Sequence, residues 1–280
     1  MQNALSVDVE DWFQVGAFEK VIDRADWDSL VPRVERNTDA VLALFAESEV
    51  RATFFTLGWV AKRNPALIRR IVAAGHEIAS HGWDHARVFT MTPAEFRTDL
   101  DMARAEIEDA AGVGVTGYRA PSFSIDKRNP WAHAVLAEAG YHYSSSVAPV
   151  LHDHYGWPDA PHFAFNPLPD ADLLELPVSV ASVGGRKIAT GGGFFRLLPG
   201  AITHRAINAL NNQAGRPAVF YFHPWDMDPG QPRVANAPLR SKLRHYSRLG
   251  AMEGKLRQLI NRHAWGRVDG VVATERGRVS

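Results

Sequence analysis

"RATFFTLGWVAKRNPALIRRIVAAGHEIASHG", residues 51–82, carries the reading of the fold. "RATFFTLG" is a short apolar run ended by glycine and reads as a strand. "NPALIRRIVAAG" has helical period, with Pro65 just inside its start and Gly75 just past its end, so it reads as a helix. "HEIASHG" is a second strand, at whose start His76 is expected to play a structural, capping part. A strand, a helix and a strand in that order make a β-α unit of a parallel sheet or barrel.

The same alternation continues in both directions. Before this stretch lie a strand, "ALSVDVED" (4–11), and a helix from about Val31 to Glu47 whose apolar stripe is Val34, Val41, Leu42 and Phe45. After it, Thr92, Pro93 and Glu95 form the start signal of a helix running towards Ala111. "GVTGYRA" and "GYHYSSSV" read as strands around a helix near "NPWAHAVLAEAG". Residues 149–170 have no period and read as a long ordered loop. "LLELPVSV" is another strand, "GGGFFRLLP" leads into a helix, and "RPAVFYFHPWDMD" is a buried strand with a polar end. A basic helix, "LRSKLRHYSRLGAMEGKLRQLINRH", and a short apolar segment, "DGVVA", close the chain. At 280 residues and 46% hydrophobic content the chain suits a single large domain, 1–280, with residues 226–280 packed on it as an extension.

Composition excludes several functions. Thirty-one basic against thirty-one acidic residues leave a net charge of zero, which gives no global field towards nucleic acid or an anionic membrane. With no cysteine, metal ligands must be His, Asp or Glu. The opening "MQNALSVDVEDWF" lacks the pattern of a secretory signal, and no apolar run approaches the roughly 20 residues of a membrane span, so a cytoplasmic protein is expected.

Active sites of parallel β/α folds collect at the carboxyl ends of strands. Those ends hold Asp8, Glu10 and Asp11, then His81 and His85, then Arg119, then His223 and Asp226. Two histidines at i and i+4 on a helical turn stand ~6 Å apart on one face and can share an ion. A carboxylate from another strand completes a catalytic site with an open position. Alternation puts Asp8 and Glu10 on one face of the first strand and Asp11 on the other.

These residues resemble the polysaccharide deacetylases, family-four carbohydrate esterases that remove N-acetyl groups from chitin-like, peptidoglycan and exopolysaccharide chains. The resemblance runs through "SVDVED", "ASHGWDH", "GYRAPSFSI" and "AVFYFHPWDMD" in order. "FFTLGWVAKRNPALIRRIVAAGHEIASHGWDH", "GGGFFRLLP" and "RHYSRLG" further resemble a bacterial subgroup associated with exopolysaccharide and exosortase loci. It implies a distorted (β/α) barrel of seven strands and a mononuclear divalent metal, zinc by ligand type, with cobalt, nickel or manganese as substitutes. It implies Asp8 as general base, His81 and His85 as metal ligands, and His223 as general acid. Arg119 is then the partner of the base, and the backbone N–H of Ser122 an oxyanion donor. The third ligand is expected to be Glu10, with Asp11 as the alternative. The implied partner is an N-acetylated saccharide, polymer or lipid-linked precursor, the latter met at the inner face of the membrane.

Further expectations attach to single residues. Relatives often read "GY-x-YDSS" where this chain has "GYHYSSS", so Ser144 replaces an acid that could buttress Arg119. Asp226 or Asp228 is expected to orient His223. Trp225 is expected in a sugar-binding groove, Phe194 in the core. Trp83, Trp157 and Phe195 are further stacking candidates, and His152 and His154 either touch substrate or bond backbone. The basic C-terminal helix is read as a solvated face that could instead meet an anionic polymer or a lipid pyrophosphate. The rival readings are an allantoinase-like hydrolase of small amides or cyclic imides on the same scaffold, and an inactive sugar-binding relative.

Overall fold

The computed structural model describes residues 1–151, 155–183 and 185–279. His152 and His154 lie outside them. The strands are β1 (Asn3–Val9), β2 (Thr53–Thr56), β3 (Glu77–Ser80), β4 (Gly117–Tyr118), β5 (Tyr143–Ser144), β6 (Leu174–Glu175), β7 (Val180–Val183), β8 (Arg186–Ala189), β9 (Val219–Phe222) and β10 (Trp265–Gly266). β1 to β6 follow one another side by side and parallel, with β9 on the other side of β1. These are the seven expected strands, and the two-residue β10 adds an eighth, parallel to the start of β1.

The sheet curls into a distorted barrel whose seam falls between β6 and β9. There Ser179 stands in for a strand: its N–H donates to Val219 O at 3.1 Å, and its Oγ accepts from Val219 N at 2.8 Å. All seven residues of β1 are buried, because both faces are covered. Leu5, Val7 and Val9 pack outward against the helices with Val34, Val41 and Phe45. Ala4 packs inward with Phe55, Tyr143 and Tyr221, so Ser6 and Asp8 on the same face also point into the barrel.

Several boundaries differ from the sequence reading. The first long helix is Val34–Glu47 rather than starting at Val31, since Val31 is exposed and the Asp11 carboxylate accepts from the N–H groups of Arg33 and Val34. Leu44, not Leu42, completes its buried stripe. The Thr92 capping box and the helix Pro93–Ala111 are as expected. "LLELPVSV" is not one strand: β6 ends at Glu175, and the chain then enters an antiparallel hairpin, β7–β8, that the sequence pattern did not disclose. The basic C-terminal helix breaks at Arg248, whose φ of 58° is left-handed, giving Leu239–Tyr246 and Met252–Arg262. "DGVVA" belongs to a final helix, Val268–Val279. Among the described residues no helix is long and apolar enough to cross a membrane.

Candidate functional site

The site lies at the carboxyl ends of β1, β3, β4 and β9. Beyond β1, Glu10 meets His81 and His85, which follow β3, and one ligand atom from each of the three lies within 4.8 Å of the others. Glu10 Oε2 is buried and accepts no aligned hydrogen bond, although His85 Nε2 stands 2.7 Å away. A buried carboxylate oxygen with no aligned donor beside two imidazoles fits a cation site. His81 Nδ1 lies 2.8 Å from the carbonyl of Arg119, which can only accept, so the proton sits on Nδ1 and Nε2 is free to ligate. Burial pushes His81 down to about 4, which keeps the ring neutral, as ligation requires. Burial works to raise the Glu10 carboxyl, but His85, His223 and His81 outweigh it and hold the group well below the carboxylate range.

The loop that presents the histidines is not the helical turn expected from the i, i+4 spacing. Residues 81–85 are irregular, with bends at 83–85; Gly82 (φ 76°) and His85 (φ 63°) are left-handed, and the two imidazole centroids stand 5.5 Å apart. A non-glycine residue there costs conformational energy, so its surroundings must hold it. They do: Gly58 N and Trp59 N donate to the carbonyls of Gly82 and Trp83, and Trp83 N donates to half-buried Asp99.

Across the site, Asp8 Oδ1 receives Arg119 Nη1 at 2.7 Å. Arg119 is fully buried, and Ser6 Oγ, Ser145 O and Ser145 Oγ take three more of its donors at 2.7, 3.1 and 2.9 Å. A buried guanidinium with this many acceptors is fixed, and it fixes the carboxylate in turn.

His223, after β9, donates from Nδ1 to Asp226 Oδ2 at 3.0 Å, which turns Nε2 towards Glu10 Oε1 at 3.7 Å. Asp226 Oδ1 pairs with buried Arg196. Burial alone lowers the His223 pKa, but Glu10, Asp226 and Asp8 outweigh it and raise it to about 9. Asp228 takes no part here and pairs with Arg33 at 2.5 Å.

The structure gathers Asp8, Glu10, His81, His85, Arg119, His223 and Asp226 and sends others elsewhere. Asp11 caps the Val34–Glu47 helix with its carboxylate facing backbone N–H groups. Trp225 is not in a groove: it is 6% exposed, stacked between His223 and His245 at 4.7 and 4.4 Å, and its indole N–H donates to Glu10 Oε1 at 3.0 Å. Ser122 is left-handed (φ 54°) and half-buried beside the site. Ser144 does not touch Arg119 but donates to Ser146 Oγ, and buried Glu175 accepts from the N–H groups of Ser146 and Val147. His76 accepts from Ala52 N at 3.1 Å, a structural role. Phe194 packs half-buried on the inner core, Phe195 is fully buried, and Trp157 and Trp83 are partly covered.

Sequence reasoning missed Ser6, Ser145, Asp99 and Arg196. Ser6 shares a strand face with Asp8 and could have been found by alternation. Arg196 lies thirty residues from Asp226 and gives no local signal. A cleft of about 280 Å³ opens beside His85, walled by residues 13–27 including Phe13, Gln14 and Trp27, and by Asp84.

Residues 26–144 match the polysaccharide deacetylase family, and residues 145–273 match a domain of unknown function. The first of these stretches is thus similar to polysaccharide deacetylases. Its relatives include the peptidoglycan-N-acetylglucosamine deacetylase of Listeria monocytogenes, 31% identical over 91 residues, which are 32% of this chain and 20% of that protein. The chitooligosaccharide deacetylase of Bradyrhizobium sp. is 33% identical over 100 residues, 36% of this chain and 43% of that one. The chain therefore matches less than half the length of either relative. Among solved structures, a candidate polysaccharide deacetylase of Mycobacterium smegmatis superposes with a TM-score of 0.65 at 22% identity, covering 99% of this chain and 91% of the other. An allantoinase superposes with a TM-score of 0.62 at 15% identity, covering 98% and 89%. These two share the fold. Neither matched stretch contains the whole site, since Asp8 and Glu10 precede residue 26 and His223 follows residue 144.

Proposed function

We propose that this chain is a divalent-metal-dependent hydrolase that removes N-acetyl groups from sugar units of a polysaccharide or its lipid-linked precursor, acting as one unit over residues 1–280. The observation that carries the reading is the buried Glu10 Oε2, without a hydrogen bond, gathered with His81 and His85 opposite the Asp8–Arg119 pair. Glu10, His81 and His85 would hold the ion, with zinc favoured by ligand type and cobalt, nickel or manganese able to replace it. When bound, the ion supplies Lewis acidity, which polarises a carbonyl and brings the pKa of water from ~15.7 to about 7.

The chain's own groups do the proton work. Asp8, oriented by Arg119, accepts a proton from the water that attacks the acetamide carbonyl. The N–H of Ser122 donates to the oxyanion that forms. His223, protonated and fixed through Nδ1 by Asp226, gives its Nε2 proton to the leaving nitrogen as the C–N bond breaks, so that acetate and a free amine result. The test is acetate release from N-acetylated chitooligosaccharides by the wild type beside Asp8→Asn and His223→Gln. Release that falls at least about a hundredfold in both variants supports the reading. A fully metallated wild type that releases no acetate from any acetylated sugar overturns it.

The cleft of about 280 Å³ beside His85 has room for a small amide or cyclic imide, whose hydrolysis is a second reading. Turnover of allantoin without release of acetate from oligosaccharides would select it.

A further inference from the structure

The segment 229–252 contains Arg233, Arg240, Lys242, Arg244 and Arg248 and no acidic residue, in a chain whose net charge is zero. Among the described residues none of these five pairs with a carboxylate. Lys242 donates to Ala235 O, Arg248 donates to Leu197 O, and Arg233 lies over the ring of Tyr246, so their charges stay uncompensated. Elsewhere arginines are commonly neutralised, as Arg24, Arg63, Arg70 and Arg257 are by surface acids. Within this basic segment the helix Leu239–Tyr246 leaves Leu239 72% and Leu243 60% exposed. One exposed leucine needs no explanation. Two at i and i+4 lie on one helix face, beside exposed Arg240 and Arg244.

The helix is locked to the fold by its last residues. His245 stacks on Trp225 at 4.4 Å and on Phe18 at 4.6 Å, Tyr246 packs against Phe18, and the carbonyl of Arg244 accepts from Arg196. The outward face is therefore held in one orientation, and meeting a partner requires no ordering of the helix. Its back is one residue from His223.

We propose that the Leu239–Tyr246 helix and its flanking cations dock on a membrane surface rich in anionic phospholipid, seating the two leucines among the acyl chains and the arginines among the headgroups. Cations with apolar side chains on one fixed helix face are the features of an interfacial helix. Each cation brought to an anionic surface strengthens partition by about fivefold. The leucines distinguish a lipid surface from a soluble anionic polymer, which offers them nothing. The docking itself stands apart from the deacetylase reading; only its consequence, delivery of lipid-linked sugars to the site, rests on that reading.

The experiment is sedimentation of the full chain with phosphatidylcholine vesicles, with and without phosphatidylglycerol. Salt-sensitive binding to the anionic vesicles alone is expected. It should fall about fivefold in Arg240→Gln and at least as far in Leu239→Ser/Leu243→Ser, while acetate release from a soluble acetylated oligosaccharide stays at the wild-type level in both. Because the chain has no cysteine, Leu239→Cys gives a single site for an environment-sensitive fluorophore. Its emission should shift to the blue on anionic vesicles. No vesicle binding overturns the proposal. Binding that survives loss of the leucines with no emission shift also overturns it and points to an anionic polymer. Vesicle binding by a protein that releases no acetate would leave the docking intact and sink the deacetylase reading instead.

Discussion

Trp225→Phe separates a packing residue from one that positions a metal ligand. The indole is sandwiched between His223, with planes 13° apart, and His245, with planes 21° apart, and a phenyl ring can keep both stacks. What phenylalanine cannot supply is the Nε1–H that donates to Glu10 Oε1 at 3.0 Å. Glu10 is 2% exposed, and its other oxygen already accepts no aligned hydrogen bond, so the substitution leaves a buried carboxylate without a directed donor. A hydrogen bond to a charged group contributes about 1.5–3 kcal/mol, which as affinity is roughly ten- to a hundredfold. The measured range for groups that orient metal ligands is similar, about 10- to 100-fold. The assay is zinc affinity by competition with a chromophoric chelator, alongside a thermal melt to show that the fold survives. An affinity within about twofold of wild type in a well-folded variant would refute the assignment of Trp225 as the residue that positions Glu10.

Asp11→Ala should cost about 1–2 kcal/mol of stability through loss of the helix cap, with metal content unchanged; loss of metal instead would transfer the ligand role from Glu10 to Asp11. Gly82→Ala places a Cβ 2.9 Å from Asp99 Oδ2 at a φ of 76°, so it should cost about 1–2 kcal/mol and loosen the histidine loop, seen as a weaker metal affinity; wild-type stability and affinity would show that the loop tolerates the strain. For Asp226→Asn the sign follows from charge. Burial lowers the His223 pKa while Glu10, Asp226 and Asp8 raise it to about 9, so removing one carboxylate charge lowers it. The alkaline limb of kcat/KM should therefore move to lower pH, and a limb that stays in place would remove Asp226 from the account.

The β-α order was legible because helical and strand periods alternate clearly in residues such as Val34, Val41 and Phe45 or Phe54 and Phe55. Asp8, Glu10, His81, His85, Arg119 and His223 were legible as strand-end residues, since a parallel barrel brings all such ends together. What escaped was set by tertiary contact. Nothing around "HPWDMD" tells that Trp225 is covered by His245, because that histidine belongs to a helix twenty residues further along the chain. The left-handed φ of His85 could not be read from H-x3-H, whose spacing fits a helical turn equally well. Ser144 looked like a defect by its alignment with an acid, yet the Arg119 donors are taken by its neighbour Ser145 and by Ser6 across the barrel. The β7–β8 hairpin escaped because its alternation is short and partly polar.

The proposed mechanism rests on Glu10, His81 and His85 holding a divalent ion. The direct measurement is elemental analysis of the purified chain beside Glu10→Ala, His81→Ala and His85→Ala. The account predicts about one divalent ion per wild-type chain, lost from each of the three variants while their folds persist. A wild type that stays metal-free after reconstitution with zinc, or variants that keep a full complement, would contradict it.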